Sequence, residues 1–287
     1  MNDKMRNLLV RSASGVVLFG VVCGAAFLGY EGFAALMMLI GVVGVNELYN
    51  LARAKGVAPQ RGLGIVASLM LMLAAYCFGT LYVYQSDTML VYSVSALITF
   101  VILMALMFVY EVFRRCENPL LNIATTTLGV MYVALPLSLM AAVPLLLASN
   151  EVWSPWVFLC YLFLVWGNDV FAYLFGITFG RHKMCERLSP KKSWEGFFGG
   201  VAGSLAMGAL GAYITSGGYI VWIGLAVVVS LSSVVGDLVE SMFKRDAGVK
   251  DSGSFIPGHG GILDRFDALI LSAPFAFIYL LMVRMML

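Results

Sequence analysis

The chain has 287 residues, 61% of them hydrophobic (roughly 175 positions), with 18 Lys+Arg and 16 Asp+Glu. A membrane span needs about 20 mostly apolar residues, so this composition supplies about eight or nine spans and little else. It excludes disordered, collagen-like, disulfide-scaffold and ordinary cytosolic chains. A net charge of +2 is too small for a nucleic-acid binder.

Apolar runs between charged or turn-rich breaks predict nine spans, at 12–29, 33–52, 63–84, 89–110, 122–148, 154–179, 196–216, 219–239 and 266–286. The first two are separated only by Glu31 and its neighbours Gly29 and Gly32. The fifth contains Pro136 and Pro144, which predict a kink or a break. The fold class is therefore an all-α polytopic membrane protein. Residues 1–150 form an N-terminal membrane region of about five helices, and 151–287 a C-terminal membrane region with loops at 180–196 and 240–266.

The basic residues fix an orientation. With Lys4, Arg6 and Arg11 on the cytoplasmic side, alternation of nine spans places 17 of the 18 Lys and Arg inside and leaves only Arg284 outside. A miscount of one central span would put a basic loop on the wrong side. No small-residue cleavage site follows the first span, so it reads as a span and not as a signal peptide. Five cysteines, at 23, 77, 116, 160 and 185, form no CxxC pair and imply no disulfide framework. Gly196, Gly200 and Ser204, with Gly199 and Gly203, recur at helical spacing in the seventh span. Such a stripe lets helices approach closely, within one chain or in a dimer contact.

Polar residues concentrate in two loops. From 181 to 195 there are five basic and two acidic residues, including Ser189-Pro190-Lys191-Lys192-Ser193-Trp194-Glu195, which suits phosphate. From Glu240 to Asp267 there are five acidic and four basic residues, which suits a divalent cation. If the eighth helix continues to Lys244, then Asp237, Glu240, Ser241 and Lys244 form one polar stripe on an apolar cylinder. A lone charge such as Asp237 inside the end of a span costs a few kcal/mol, which argues against a merely solvated linker. Between the helices lies Lys250-Asp251-Ser252-Gly253-Ser254-Phe255-Ile256-Pro257-Gly258-His259-Gly260-Gly261, whose glycines let backbone N–H groups approach a ligand. In the sixth span Asp169 lies about 18 Å along the helix from Arg181. It must face a cavity or a partner.

Paired aspartates at helix ends beside clustered lysines and arginines suit Mg²⁺ holding a polyphosphate. The chain has no GxxxxGK[ST], no GxGxxG after a strand and no GxSxG, and two histidines are too few for a His-rich metal site. What remains is phosphoryl or nucleotidyl transfer at the inner face, with a lipid arriving sideways from the membrane.

The run Ser241-Met242-Phe243-Lys244-Arg245, then Lys250-Asp251, then His259-Gly260-Gly261-Ile262-Leu263-Asp264-Arg265-Phe266-Asp267 resembles the signature of the phosphatidate cytidylyltransferases, also called CDP-diacylglycerol synthases. Asn168-Asp169, Ala172-Tyr173 and Gly176, and the 189–196 segment, resemble the same family. The resemblance is strong over 160–287, while 1–150 matches in hydropathy alone. Its compact length is similar to that of bacterial members, implying a multi-pass protein of the bacterial cytoplasmic (inner) membrane.

The resemblance implies Mg²⁺-dependent transfer of CMP from CTP to phosphatidate in phospholipid biosynthesis, and a homodimer. It supports Asp237 and Asp264 as metal ligands, with Asp267 and Asp251 adding to or standing behind them. Lys250, Lys244, Arg245 and Arg265 would contact phosphates, and Ser241 belongs to the same signature. His259, Gly260 and Gly261 would shape the nucleotide pocket. Ser189, Lys191, Lys192 and Ser193 would bind triphosphate or the lipid phosphate, and Asp169 would orient a polar cavity or a cation. The alternatives are a CTP-dependent transferase acting on another lipid phosphate or lipid alcohol, and, from a different class, a transporter of a phosphorylated solute.

Overall fold

The computed structural model describes residues 3–148, 153–258 and 260–286. Among the described residues, nine helical runs are long and apolar enough to cross a membrane. They are α1 (Asp3–Phe27), α2 (Tyr30–Ala54), α3 (Arg61–Tyr84), α4 (Asp87–Arg114), a broken run over Pro119–Leu147, α8 (Pro155–Phe179), α9 (Trp194–Thr215), α10 (Tyr219–Asp246) and α11 (Leu263–Met286). Each overlaps one predicted span.

The breaks have local causes. Between α1 and α2 the chain turns at Gly29, whose φ of 93° is strained for any residue with a Cβ. Glu31 falls just inside α2, where a carboxylate suits the positive helix end. The fifth run is α5 (Pro119–Gly129), a π-helical turn over Val130–Ala134, α6 (Leu135–Met140) and α7 (Val143–Leu147). Pro136 has no N–H and its ring crowds the carbonyl four residues back, at Tyr132, inside the π-helical turn. Helix α10 runs seven residues beyond the predicted end at 239, to Asp246. Lys244 and Arg245 stand in its last turn, against the negative end of the helix.

Loop 180–194 contains a departure from helix that hydropathy does not signal, an antiparallel hairpin of β1 (Lys183–Cys185) and β2 (Ser189–Ser193). All five cysteines are free thiols.

The chain divides into two compact units. The first comprises residues 1–141 with 246–266, and the second residues 142–245 with 267–287. Within the first unit, Tyr49 on α2 is fully buried and its hydroxyl donates to the Thr126 carbonyl at 2.7 Å. A buried polar cluster ties α3, α4 and α5 together: Glu111 accepts from Gln60 (2.6 Å), Asn122 (2.8 Å) and Arg114 (3.0 Å).

Within the second unit the glycine stripe of α9 is spent on α8. A Cβ at Gly199 would strike Phe175, at Gly203 Phe171, and at Gly200 the side chain of Asn168. The close approach is therefore internal to one chain. Tyr161 and Ser272, both buried, share a hydrogen bond at 3.0 Å between α8 and α11.

Candidate active site

In the second unit, α10 supplies Asp237, Glu240, Ser241 and Lys244 at one-turn intervals, the polar stripe expected for a helix that continues past 239. Helix α11 meets α10 at Gly236. A side chain there would collide with the Asp267 carbonyl (2.6 Å) and crowd Leu271 (3.0 Å), so the missing Cβ lets the two helices touch. The consequence is a cluster: one carboxylate oxygen from each of Asp237, Glu240 and Asp267 lies within 4.8 Å of the other two. Asp237 and Asp267 are half-buried, and Glu240 is 1% exposed.

Three carboxylates this close repel one another unless cations intervene. Two lysines do so in part. Lys192, carried by β2, pairs with Asp237 at 2.7 Å and donates to the Val234 carbonyl at 3.1 Å. Lys244 pairs with Glu240 one turn away on α10. Ser241 also lies 3.4 Å from Asp237 Oδ1. On α8, Asn168 is fully buried and donates to Ser233 of α10 at 3.2 Å, one turn before Asp237. Its neighbour Asp169 is within electrostatic reach of Asp237 and Lys192. The unit thus gathers Asp169, Lys192, Asp237, Glu240, Lys244 and Asp267 from α8, β2, α10 and α11.

The hairpin that delivers Lys192 is pinned at its base. Ser193 is the N-cap of α9 and accepts from the Gly196 amide at 3.2 Å. Glu195 accepts from the amides of Arg181 (3.1 Å) and His182 (3.2 Å) and pairs with His182 Nδ1 at 2.6 Å. Ser193 is therefore committed to a cap, Ser189 sits half-buried at the start of β2, and Lys191 is exposed.

Asp264 belongs to the first unit, in the first turn of α11, directly after the loop 250–262. Its Oδ2 accepts from the Ser252 amide (2.8 Å), the Ser252 hydroxyl (2.9 Å) and the Gly261 amide (2.8 Å). Gly260, with φ of 85°, lies so close that a Cβ would sit 2.8 Å from the same oxygen. A second carboxylate supports the loop from α2: Glu47, 4% exposed, accepts from the amides of Ile262 (3.0 Å) and Leu263 (2.9 Å) and from the Ser252 hydroxyl (3.2 Å). These amides open α11, so Glu47 caps that helix from a distance in sequence of more than 200 residues. Lys250, Asp251 and Arg265 are exposed in this unit, Arg245 is exposed in the other, and His259 lies outside the described residues.

Two of these residues are not among the sequence-predicted candidates. Glu240 stood in the predicted polar stripe, and its place beside Asp267 follows only from helix contact. Glu47 gave one signal, an acidic residue inside the apolar second span.

A multi-pass helical protein with clustered carboxylates, paired lysines and a glycine-rich loop held by acids belongs among membrane enzymes that handle phosphates, with a candidate site for a cation. Comparison with known proteins places it within that class. Residues 9–283 match the model of the cytidylyltransferase family, and the chain belongs to that family. It is 34% identical to the phosphatidate cytidylyltransferase of Synechocystis sp., over 95% of this chain and 96% of that protein. It is 33% identical to the enzyme of the same name from Staphylococcus aureus, over 82% of this chain and 85% of that one. The Mycobacterium tuberculosis protein of that name is 42% identical over 55% of this chain and 48% of its own length.

Proposed function

We propose that the chain transfers CMP from CTP to phosphatidate, releasing pyrophosphate and forming CDP-diacylglycerol, on the cytoplasmic side of a bacterial inner membrane. Its membership of the cytidylyltransferase family and its similarity to phosphatidate cytidylyltransferases over nearly the whole chain support the chemistry. The observation that carries the site is the cluster of Asp237, Glu240 and Asp267 with Lys192 and Lys244 against it.

Hard carboxylate oxygens grouped from two helices fit a Mg²⁺ ion, and these three residues would hold it. Bound there, the ion supplies positive charge that offsets the triphosphate and its leaving group. The protein's own residues do the rest. The nucleophile, an oxygen of the lipid phosphomonoester, is largely dianionic near neutral pH because its second pKa is about 6. It needs no strong general base. It attacks the α-phosphorus of CTP, the bond to the bridging oxygen of the β-phosphate breaks, and the electron pair leaves with pyrophosphate.

The barrier is the approach of two polyanions, so catalysis is chiefly positioning and electrostatics. Lys192, held on the hairpin, and Lys191 beside it bind phosphate oxygens, with Lys244 and Arg245 screening charge in the same unit, while Lys250 and Arg265 contact phosphate in the glycine-rich loop of the other. Asp264 and Glu47 keep the Ser252–Leu263 segment in the shape that receives the nucleotide. Asp169 orders the polar end of α8.

Incubation of the purified chain with radiolabelled CTP and phosphatidate tests this reading. Label should enter the lipid phase with Mg²⁺ and stay in the aqueous phase with EDTA. Label that remains aqueous in the presence of Mg²⁺ would refute it.

A further inference from the structure

The tip of the glycine-rich loop is held by a part of the chain that the chemistry above does not use. Helix α1 and the loop belong to the same unit, although Ser14 and Pro257 are 243 residues apart in sequence. We propose that the basic end of α1 positions this tip for the nucleotide, with Ser14 as the positioning residue, on the reading that segment 252–263 receives CTP.

The tip is a closed turn. The Ile256 amide donates to the Gly260 carbonyl at 2.9 Å, and the two residues pair as an isolated antiparallel bridge. Gly258 stands between them with φ of 75°, which a residue with a Cβ adopts only under strain. A Cβ there would lie 3.1 Å from Arg11 Cγ and 3.4 Å from Val10 Cγ1, so the turn sits directly on α1. One residue earlier, the Pro257 carbonyl accepts from the Ser14 hydroxyl at 3.0 Å. Proline has no N–H, so its carbonyl is the one backbone group through which a hydrogen bond can hold it.

The Ser14 hydroxyl has one proton and also reaches two carbonyls of its own helix, Val10 (2.9 Å) and Arg11 (3.1 Å). Bonding back to the helix is the ordinary use of such a serine. The packing of Gly258 on Val10 and Arg11 is a second contact at the same place, and it does not depend on where that proton goes.

Beyond Ser14 the helix has little protein around it. Val16 and Val17 are 71% and 64% exposed, and a Cβ at Gly20 or Gly24 would meet nothing within 4 Å. Contact returns at the far end, where Val22 and Ala26 are buried and a Cβ at Gly32 of α2 would strike the Ala25 carbonyl at 2.5 Å. Helix α1 is thus fixed at two points, Ser14 and Ala26, about 18 Å apart. One is its packing on α2, and the other is the loop. The contact bears on the glycines at once, because the turn closes on Gly260 and the next amide, that of Gly261, donates to Asp264 at 2.8 Å. Glu47 and Asp264 hold the base of the loop, and α1 holds its tip.

Two readouts on the full chain in detergent test this: hydrogen exchange over 256–262, and KM for CTP and for phosphatidate. Ser14→Ala should speed exchange over 256–262 and raise KM for CTP about three- to fivefold, the size of one neutral hydrogen bond. Its kcat and its KM for phosphatidate should keep wild-type values. Ser14→Thr retains a hydroxyl and should restore both readouts. Ser12→Ala, on the opposite side of α1, should match wild type. Wild-type exchange in Ser14→Ala would overturn the contact, and an equal effect of Ser12→Ala would overturn its assignment to Ser14. Faster exchange with an unchanged KM for CTP would overturn the positioning role and leave a packing contact only. A wild type that transfers no CMP would refute the proposed activity, while exchange alone would still decide whether α1 holds the loop.

Discussion

The carboxylates of the two units are stabilised in opposite ways. In the first unit Glu47 and Asp264 are surrounded by donors, mostly backbone amides of one loop and the opening turn of α11. In the second, Asp237, Glu240 and Asp267 face one another, with two lysines as the nearby positive charge. An acid satisfied by amides holds a shape, because its charge is already answered by fixed dipoles. Acids that crowd each other beyond what two lysines neutralise are a candidate site for a cation, which would relieve their repulsion. Signature aspartates three residues apart on one helix, Asp264 and Asp267, thus fall on opposite sides of this division.

That contrast can be broken most decisively at the cation cluster. Asp237→Asn or Asp267→Asn should lower CMP transfer by on the order of a hundredfold or more, since a metal's contribution is several kcal/mol. Neither change should lower the melting temperature in EDTA, because a source of repulsion is removed. A large loss of stability without metal would show that these acids are structural.

Asp264→Asn should also remove nearly all transfer and leave the protein folded in detergent, but by loosening the loop. Hydrogen bonds to a charged group contribute about 1.5–3 kcal/mol each. Limited proteolysis within 250–260 should therefore accelerate, while the Mg²⁺ concentration for half-maximal residual activity stays put. A shifted Mg²⁺ requirement with an intact loop would move Asp264 into the cation site.

Glu47→Gln keeps the volume and loses the charge. We expect about 1–3 kcal/mol of local destabilisation, read as faster hydrogen exchange at the Ile262 and Leu263 amides, and roughly tenfold slower transfer. Unchanged exchange at those two amides would remove Glu47 from the loop's support. The smallest effect is expected at the Lys55–Asp246 pair, whose side chains are 45% and 61% exposed at 2.6 Å. Lys55→Ala should change stability by less than about 1 kcal/mol and leave turnover unaltered.

The spans were legible because burial in lipid imposes one rule on every segment, about 20 apolar residues with all backbone groups bonded internally. The break at Pro136 was equally legible, since it follows from a missing N–H. The hairpin was not. Its sequence, Lys183 to Ser193, reads only as a basic loop, and its strands exist because Glu195 and the α9 cap fold the segment back on itself. Of the predicted site residues, Asp237, Asp267, Lys192, Lys244 and Asp169 are brought into one unit, while Ser193 is occupied as a cap and Asp264 as a loop anchor.

Composition, hydropathy and the spacing of charges by themselves determined a nine-span membrane chain with two polar loops, because each of those signals is local along the polymer. Which acids are answered by amides and which crowd one another was decided only in three dimensions. That choice depends on a missing Cβ at Gly236 that lets α11 close on α10, and on an acid of α2 reaching a loop more than 200 residues away.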